Sequence, residues 1–420
     1  MKTPLSAMVA AVILSLPAAA LGQSNYPDGG AVDSLAGTIR QRLATVDKGG
    51  ANSAATGSAA VPSAAISVDA APRVGGRDYP SVFQAWSPAD PLKYKVDPRH
   101  DLAFTGQSGM GLVWDKSDVK FDGLAVSFTA DSIAKGHALR RGLLGVNPHM
   151  VLLMEVRYRD AKADFLPPGS PQWKGADKNN PEAGYLLGDV QYYKLDYSRD
   201  DVQSLVAAKC AAAVRSGVFD GCMLDWWQDQ PDQVKILQKI RQAAGEQALI
   251  IVNANNREVP QSAPYINGIY MEVTHRDDDI ARVTQTLEWA EGAVREPRIN
   301  CLELWLYNSR QELGRMRLTT TISLVHSEGY VLFGDPDGLR APEHQHDWYP
   351  FWNKSLGHPG RRVPRSDGAS QREYDKGTVV SNPGASPVTV TFPEARLSAA
   401  TGLRSQTHAV PALDGDLFLR

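Results

Sequence analysis

The sequence predicts an α/β fold: a (β/α)₈ barrel followed by a small C-terminal antiparallel β domain. Three observations carry this. From Tyr79 onward short apolar runs alternate with amphipathic stretches. The runs number eight over roughly 275 residues, the count and length of a (β/α)₈ barrel. Beyond about residue 370 the helical periodicity stops, and short β-rich runs are split by Gly, Pro and Asn.

Taken in chain order, residues 1–22 read as a signal peptide. One Lys precedes an apolar run and small residues suited to signal peptidase, and the run is too short to span a bilayer comfortably. Residues 23–78 are rich in Ala, Ser and Gly and read as a flexible linker, with a short helix possible in "LAGTIRQRLATV". The barrel is expected over 79–365. Its candidate strands are "SVFQAW" (81–86), "MVLLMEVRY" (150–158), "YYKLDY" (192–197), "FDGCMLDW" (219–226), "ALIIVNA" (248–254), "GIYMEV" (268–273), "CLELWLY" (301–307) and "GYVLF" (329–333). Helical periodicity fills the segments "RDDVQSLVAAKCAAAVRSG", "DDDIARVTQTLEWAEGAVRE", "RQELGRMRLTTTISLVHSEG" and "PEHQHDWYPFWNKSLG". The first two open on acids that suit a helix N-terminus. The rival architecture, an open doubly wound sheet, lacks a Gly-rich phosphate turn after its first strand. Residues 366–420 form the expected β domain.

Composition narrows the function classes. The 420 residues are 43% hydrophobic and 22% charged, with a formal net charge of −3. Nothing there favours nucleic acid or an anionic membrane as partner. Three cysteines are too few, and odd in number, for a disulfide framework. Cys222 and Cys301 lie in apolar runs and read as buried thiols; a Cys210–Cys222 bridge is the alternative. No Cys/His spacing resembles a zinc site. His344 and His346, two apart in "EHQHDWY", suit a loop better than a metal-binding helix face, and His326 reads as a helix cap or a satisfied core group. Neither a metal nor another cofactor is expected.

Barrel enzymes place their reactive groups at the C-terminal ends of the strands, and the strand period of two says which side chains face inward. Asp225 ends the run "CMLD" on the face of Met223 and Gly221. Glu272 ends "GIYME" on the face of Tyr270. Glu155 and Arg157, Asn253 with Asn255, and Glu303 with Trp305 and Tyr307 each share an inward face, and Asp196 closes "YYKLD". Trp86, Trp305 and Trp227 add aromatic faces; alternation puts Trp227, rather than Trp226, on the side of Asp225. Polar groups buried without partners cost about 1–3 kcal/mol each, so a purely structural rim has no use for so many. Two carboxylates with aromatic, amide and guanidinium neighbours suit cleavage of a glycosidic bond. The bland readings are an Asp225 that caps the next helix, a Glu272 paired with Arg157 or Arg276, and a Glu303 that orients Arg157. The long segments around 97–116 and 159–185 are expected to wall a cleft.

In their order along the chain, "FQAWSP", "VLLMEVRYRDA", "GVFDGCMLDWW", "LIIVNANNR", "APYINGIYMEV", "REPRINCLE", "MRLTTTISLVHSEGYVLFGDP" and "HDWYPFW" resemble the hypothetical glycosyl-hydrolase-like family 15, over roughly residues 80–420. The resemblance implies a TIM-barrel glycosidase. It implies an Asp nucleophile at the end of strand four, the place of Asp225, and an acid/base at the end of strand six, the place of Glu272, where related clans carry Asp. The expectation is a secreted or periplasmic, monomeric glycoside hydrolase acting on a poly- or oligosaccharide, without nucleic acid or membrane as partner after signal cleavage. A non-catalytic glycan-binding barrel and a polysaccharide lyase are the alternatives.

Overall fold

The computed structural model describes residues 70–90, 95–187, 189–274, 280–306, 309–334 and 344–420. The expected signal peptide and most of the expected linker lie outside them. Eight strands form one parallel sheet in sequential order: β1 (Phe83–Ala85), β2 (Leu102–Thr105), β3 (Val151–Glu155), β4 (Gly221–Leu224), β5 (Leu249–Asn253), β6 (Gly268–Thr274), β7 (Cys301–Trp305) and β8 (Tyr330–Gly334). A parallel bridge between Val82 and Val331, with Val331 N–H donating to the Ser81 carbonyl at 2.9 Å, joins the last strand to the first. The sheet is therefore a closed barrel, and closure leaves no edge strand unpaired.

Two differences from the expected strands cancel in the count. "LAFT" is the second barrel strand, although it lies within a segment expected to be loop. "YYKLDY" is not a barrel strand. Its first three residues end a strand, Val190–Lys194, that pairs antiparallel with Asp160–Lys162 and Ala183–Leu187 in a three-stranded excursion after β3. Alternating apolar and polar residues mark a strand but not its partner. Asp225 therefore still follows the fourth strand and Glu272 still lies in the sixth.

Helices α1 (Ala71–Gly75), α2 (Ala130–Val146), α3 (Asp200–Arg215), α4 (Pro231–Ala244), α5 (Ile280–Ala293) and α6 (Leu313–His326) complete the described helical set. Among the described residues no helix is long and apolar enough to cross a membrane. "PEHQHDWYPFWNKSLG" is not helical where described: it holds a two-residue strand, His346–Asp347, and a 3₁₀ turn, Pro350–Asn353. The core has two layers. Leu152, Met154, Cys222, Leu224, Ile250 and Val252 belong to an outer cluster shared with the helices. The alternate residues Val151, Leu153, Met223, Leu249 and Ile251 belong to a second cluster with Phe83, Phe104 and Tyr270. Gly221 is required where β4 meets β5, because a Cβ there would lie 1.7 Å from the Leu249 carbonyl oxygen. Cys210 of α3 and Cys222 of β4 form a disulfide, so Cys222 is not a free thiol; Cys301 is free and buried.

The last six strands form a separate antiparallel sheet from Pro359–Val363 to Asp414–Leu419. It packs on α6, where Arg317 holds Asp414 in a two-pronged ion pair (2.8 and 2.6 Å) and Tyr374 Oη donates to the Leu324 carbonyl at 2.9 Å.

The end of the expected linker is not linker. Residues 70–78 carry α1 and close the floor of the barrel. Arg73 of α1 and Arg140 of α2 both bind Asp220, which is fully buried just before β4 and also accepts from Leu152 N–H at 2.8 Å. The Arg77 guanidinium lies over the Tyr330 ring at 4.4 Å and donates to backbone carbonyls at Val74 and Glu328. The two guanidinium groups hold the Asp220 carboxyl below its ordinary range against the opposing effect of burial. Removing one partner of such a cluster strands the others without water. Asp220→Ala should therefore lower the unfolding free energy by about 3–5 kcal/mol, read by denaturant titration at pH 7. The double variant Asp220→Ala/Arg140→Met should recover part of that loss. A loss below about 1 kcal/mol would mean the cluster does not hold the floor.

Candidate active site

Three neighbouring strands build the centre. β4 pairs with β5 so that Leu224 faces Val252, and β5 pairs with β6 so that Asn253 faces Tyr270. This register brings Asp225, Asn253 and Glu272 together at the C-terminal rim. A single nitrogen connects them: Asn253 Nδ2 donates to Asp225 Oδ1 at 2.8 Å and to Glu272 Oε2 at 2.6 Å. An amide NH₂ has two hydrogens, and both are used.

Both carboxyls are pushed toward their neutral forms, to different extents. Burial raises Asp225 to about 6, with Glu155 adding to the rise and the Asn253 hydrogen bond opposing it. Burial raises Glu272 to about 8; Asp225 and Glu303 add to the rise, and His344 and Asn253 oppose it. At neutral pH Asp225 is the carboxylate and Glu272 the acid. Two carboxyls with divided protonation are the arrangement that separates nucleophile from proton donor.

Behind Glu272 stands His344, which the sequence pattern marked only as a loop residue set aside as a metal ligand. His344 Nδ1 lies 2.9 Å from Glu303 Oε2, and His344 Nε2 lies 3.8 Å from Glu272 Oε1. Glu303 is fully buried and also accepts from the Tyr270 hydroxyl. The Tyr270 hydroxyl donates to Glu303 Oε2, and a Glu303 carboxylate, being an acceptor only, binds His344 Nδ1 through a proton on that nitrogen. Gly334 at the end of β8 makes room, since a Cβ there would meet Glu303 Oε1 at 2.6 Å. Glu303 is thus not the partner of Arg157. Arg157 lies between Glu155 (3.5 Å) and Asp160 (3.1 Å).

Aromatic rings frame this centre. Trp86 donates from Nε1 to Glu155 Oε2 at 2.9 Å and has its ring 4.8 Å from that of His344. Trp305 approaches His344 from another side at 5.3 Å. The two tryptophans after β4 exchange the roles that alternation predicts. Trp227 is fully buried, donates to Ser262 Oγ at 2.8 Å and packs edge-on against Tyr158, so it presents no face to a ligand. Trp226 is 51% exposed, lies under the Arg159 guanidinium at 4.2 Å, and lines the cleft with Asp225, Glu155 and Arg157. The reason is backbone. The strand ends at Leu224, and Trp226 takes a φ of 56°, which reverses the alternation. Trp86, Asn255 and His344, at the same rim, also have positive φ. Strained non-glycine residues gathered at one rim mark a place where geometry outweighs local stability. Asp196 does not close a barrel strand: it lies in the turn ahead of α3 and accepts from Ser198 at 2.6 Å.

No protein-family model and no curated protein matches the chain. Among solved structures, the chain is similar to an α-amylase from Malbranchea cinnamomea (11% identity, 81% of this chain and 96% of that one, TM-score 0.48). It is also similar to a noncanonic maltogenic α-amylase from Thermotoga neapolitana (11%, 76% and 90%, TM-score 0.45) and to an isomaltodextranase from Arthrobacter globiformis T6 (10%, 80% and 72%, TM-score 0.44). These likenesses are remote, and the barrel assignment rests on the strand order itself.

The raised carboxyls cost stability in a pH-dependent way. A carboxyl whose folded pKa exceeds its unfolded value contributes fully below the unfolded pKa, and that contribution is lost as pH rises through the folded one. For Glu272 the window runs from its ordinary range up to about 8. Glu272→Gln should thus match the wild type in unfolding free energy at pH 4 and exceed it at pH 8.5 by on the order of 1–3 kcal/mol. Denaturant titrations at the two pH values check this; a difference independent of pH would remove the claim.

Proposed function

We propose that this protein is a glycoside hydrolase using Asp225 and Glu272, cleaving a poly- or oligosaccharide with retention of anomeric configuration. The observation that carries the reading is the shared Asn253 nitrogen. Two oxygens at 2.8 and 2.6 Å from one atom can be no farther apart than those distances laid end to end. For these two nearest oxygens that limit is in keeping with the ~5–5.5 Å between the carboxyl groups of retaining glycosidases rather than the ~6.5–9.5 Å that leaves room for an inverting water.

In this reading the Asp225 carboxylate attacks the anomeric carbon. The carbon–oxygen bond to the leaving sugar breaks, and the proton of Glu272 passes to that oxygen. Glu272, now a carboxylate, takes a proton from water, whose oxygen displaces Asp225 and frees the sugar. Glu303 and His344 keep Glu272 oriented, and Trp86, Trp226 and Trp305 offer faces to pyranose rings. Membership of glycosyl-hydrolase-like family 15 is part of the same proposal and is supported by the ordered motifs of the sequence. So is export from the cytoplasm, supported by the apolar N-terminal run and by the Cys210–Cys222 disulfide.

The mature protein, Asp225→Asn and Glu272→Gln should be incubated with a glycan panel while reducing ends and absorbance near 235 nm are followed. Wild type is expected to release reducing ends, and each variant to lose at least ~10³-fold in kcat/KM. Binding without release, equal in all three proteins, would make this a glycan-binding barrel; an unsaturated product would make it a lyase. The profile of kcat/KM should be a bell, rising near pH 6 as Asp225 ionises and falling near pH 8 as Glu272 does. A profile flat between pH 5 and 9 would disprove the assignment of roles.

A further inference from the structure

Next to the carboxylate pair is a larger cavity, of about 380 Å³. The segment after β2 and the excursion after β3 wall it, and Glu155, Val156 and Arg157 line both this cavity and the cleft at Asp225. A chain bound across Asp225 can therefore extend into it. The cavity has Trp114, Phe165 and Tyr192 in its walls, but the faces of Trp114 are covered by Phe128 and Lys209 and those of Tyr192 by Tyr185 and Arg157. Its charge is less ordinary. Five cations, Lys116, Lys120, Arg157, Lys162 and Lys209, face three carboxylates, Asp122, Glu155 and Asp164. The excess runs against the sign of the chain, whose net charge is −3.

Internal pairing does not absorb the excess. Lys116 takes Asp122 at 2.9 Å, and Arg157 takes Glu155 and, from outside the cavity lining, Asp160. Lys120 and Lys162 are exposed and have no ion pair among the described residues. Lys209 is 5% exposed; its ammonium donates to the carbonyls of Asp122 (2.6 Å) and Ala125 (2.8 Å) and lies 4.0 Å over the Trp114 ring. Two carbonyls use two of its three N–H groups. Holding those carbonyls explains its position; an uncharged donor would do that without burying an ammonium, which is costly. Burial pushes Lys209 down to about 7, and an anion beside it would restore its ordinary proton affinity. A neutral glycan supplies no anion, whereas a cation-lined cleft concentrates an acidic one and forms charge-assisted hydrogen bonds to it.

We infer that the glycan this protein takes is acidic, with a carboxylate or sulfate held against Lys120, Lys162 and Lys209 in the cavity beside the scissile bond. The inference rests on the glycosidase reading, since it names the substrate of that site, but binding tests it separately. Asp225→Asn, used to prevent turnover, should be titrated calorimetrically with galacturonate and hyaluronan tetrasaccharides and their carboxyl-reduced forms, and with chondroitin tetrasaccharides with and without sulfate. At least one probe should bind about tenfold tighter than its counterpart lacking the carboxylate or the sulfate. That preference should shrink at least ~5-fold on adding Lys120→Met and Lys162→Met and weaken from 50 to 300 mM salt, while the neutral probe changes less than ~2-fold. Which pair shows the preference tells carboxylate from sulfate. Equal affinity within every pair, or a preference untouched by the two lysines, overturns the inference. If neutral glycans are hydrolysed while acidic ones gain nothing, the inference fails and the glycosidase reading stands. Lysine-dependent acidic binding without cleavage by wild type gives the reverse result.

Discussion

One amide nitrogen holds the chemistry of this molecule in place. Asn253 Nδ2 joins Asp225 to Glu272, and all three depend on the register of β4, β5 and β6. A slip of one residue in β5 would turn Asn253 toward the helices and leave two buried carboxyls facing each other without a donor between them. Closure of the barrel prevents the slip. With the Val82–Val331 bridge in place, no strand can shift without shifting its neighbours around the ring. The precision of the site is therefore a property of the whole sheet.

The same geometry separates the two carboxyls chemically. Both are buried, so both resist ionising, yet their surroundings differ. Arg157, paired with Glu155, is also near enough to favour the charged form of Asp225, whereas Glu272 has the carboxyls of Asp225 and Glu303 as neighbours. His344 favours the charged form of Glu272, but burial and two acids prevail. The Glu303 anchor in β7 fixes the imidazole, and Gly334 in β8 leaves space for that anchor. Six consecutive strands, β3 to β8, thus contribute to the protonation state of one pair.

How much of this was legible follows from which signals are local. The period of two placed Asp225, Asn253 and Glu272 on inward faces, because burial on one side of a strand repeats with that period. It failed at Trp226 and Trp227, where the strand had ended and a left-handed residue reversed the faces. It mistook the strand of "YYKLDY" for a barrel strand and passed over "LAFT", since four residues are too few to show a period. His344 had no local signal. It lies 41 residues from Glu303 in sequence and reaches it through tertiary structure alone. Arg73 and Arg77 were hidden by composition: the stretch before them is Ala- and Ser-rich, and nothing near them in sequence reveals the buried carboxylate 147 positions from Arg73 or the Tyr330 ring under Arg77.

That distant carboxylate bears on the rim. The upper end of the barrel contains groups that destabilise it: two reluctant carboxyls and four residues with positive φ. The lower end contains the opposite, with Asp220 satisfied by two guanidinium groups and a backbone N–H, and Arg77 sealed over Tyr330. Asp220 and Asp225 flank the four residues of β4, one at each end. The same short strand is thus fixed by an ion-paired aspartate below and presents above one that has an amide donor but no ion pair among the described residues. An aspartate held by two arginines has little reactivity, and one beside another acid is poorly stabilised. Placing the first beneath the second lets the barrel hold a carboxylate that would otherwise relax away from its position, because the strand that carries it cannot move.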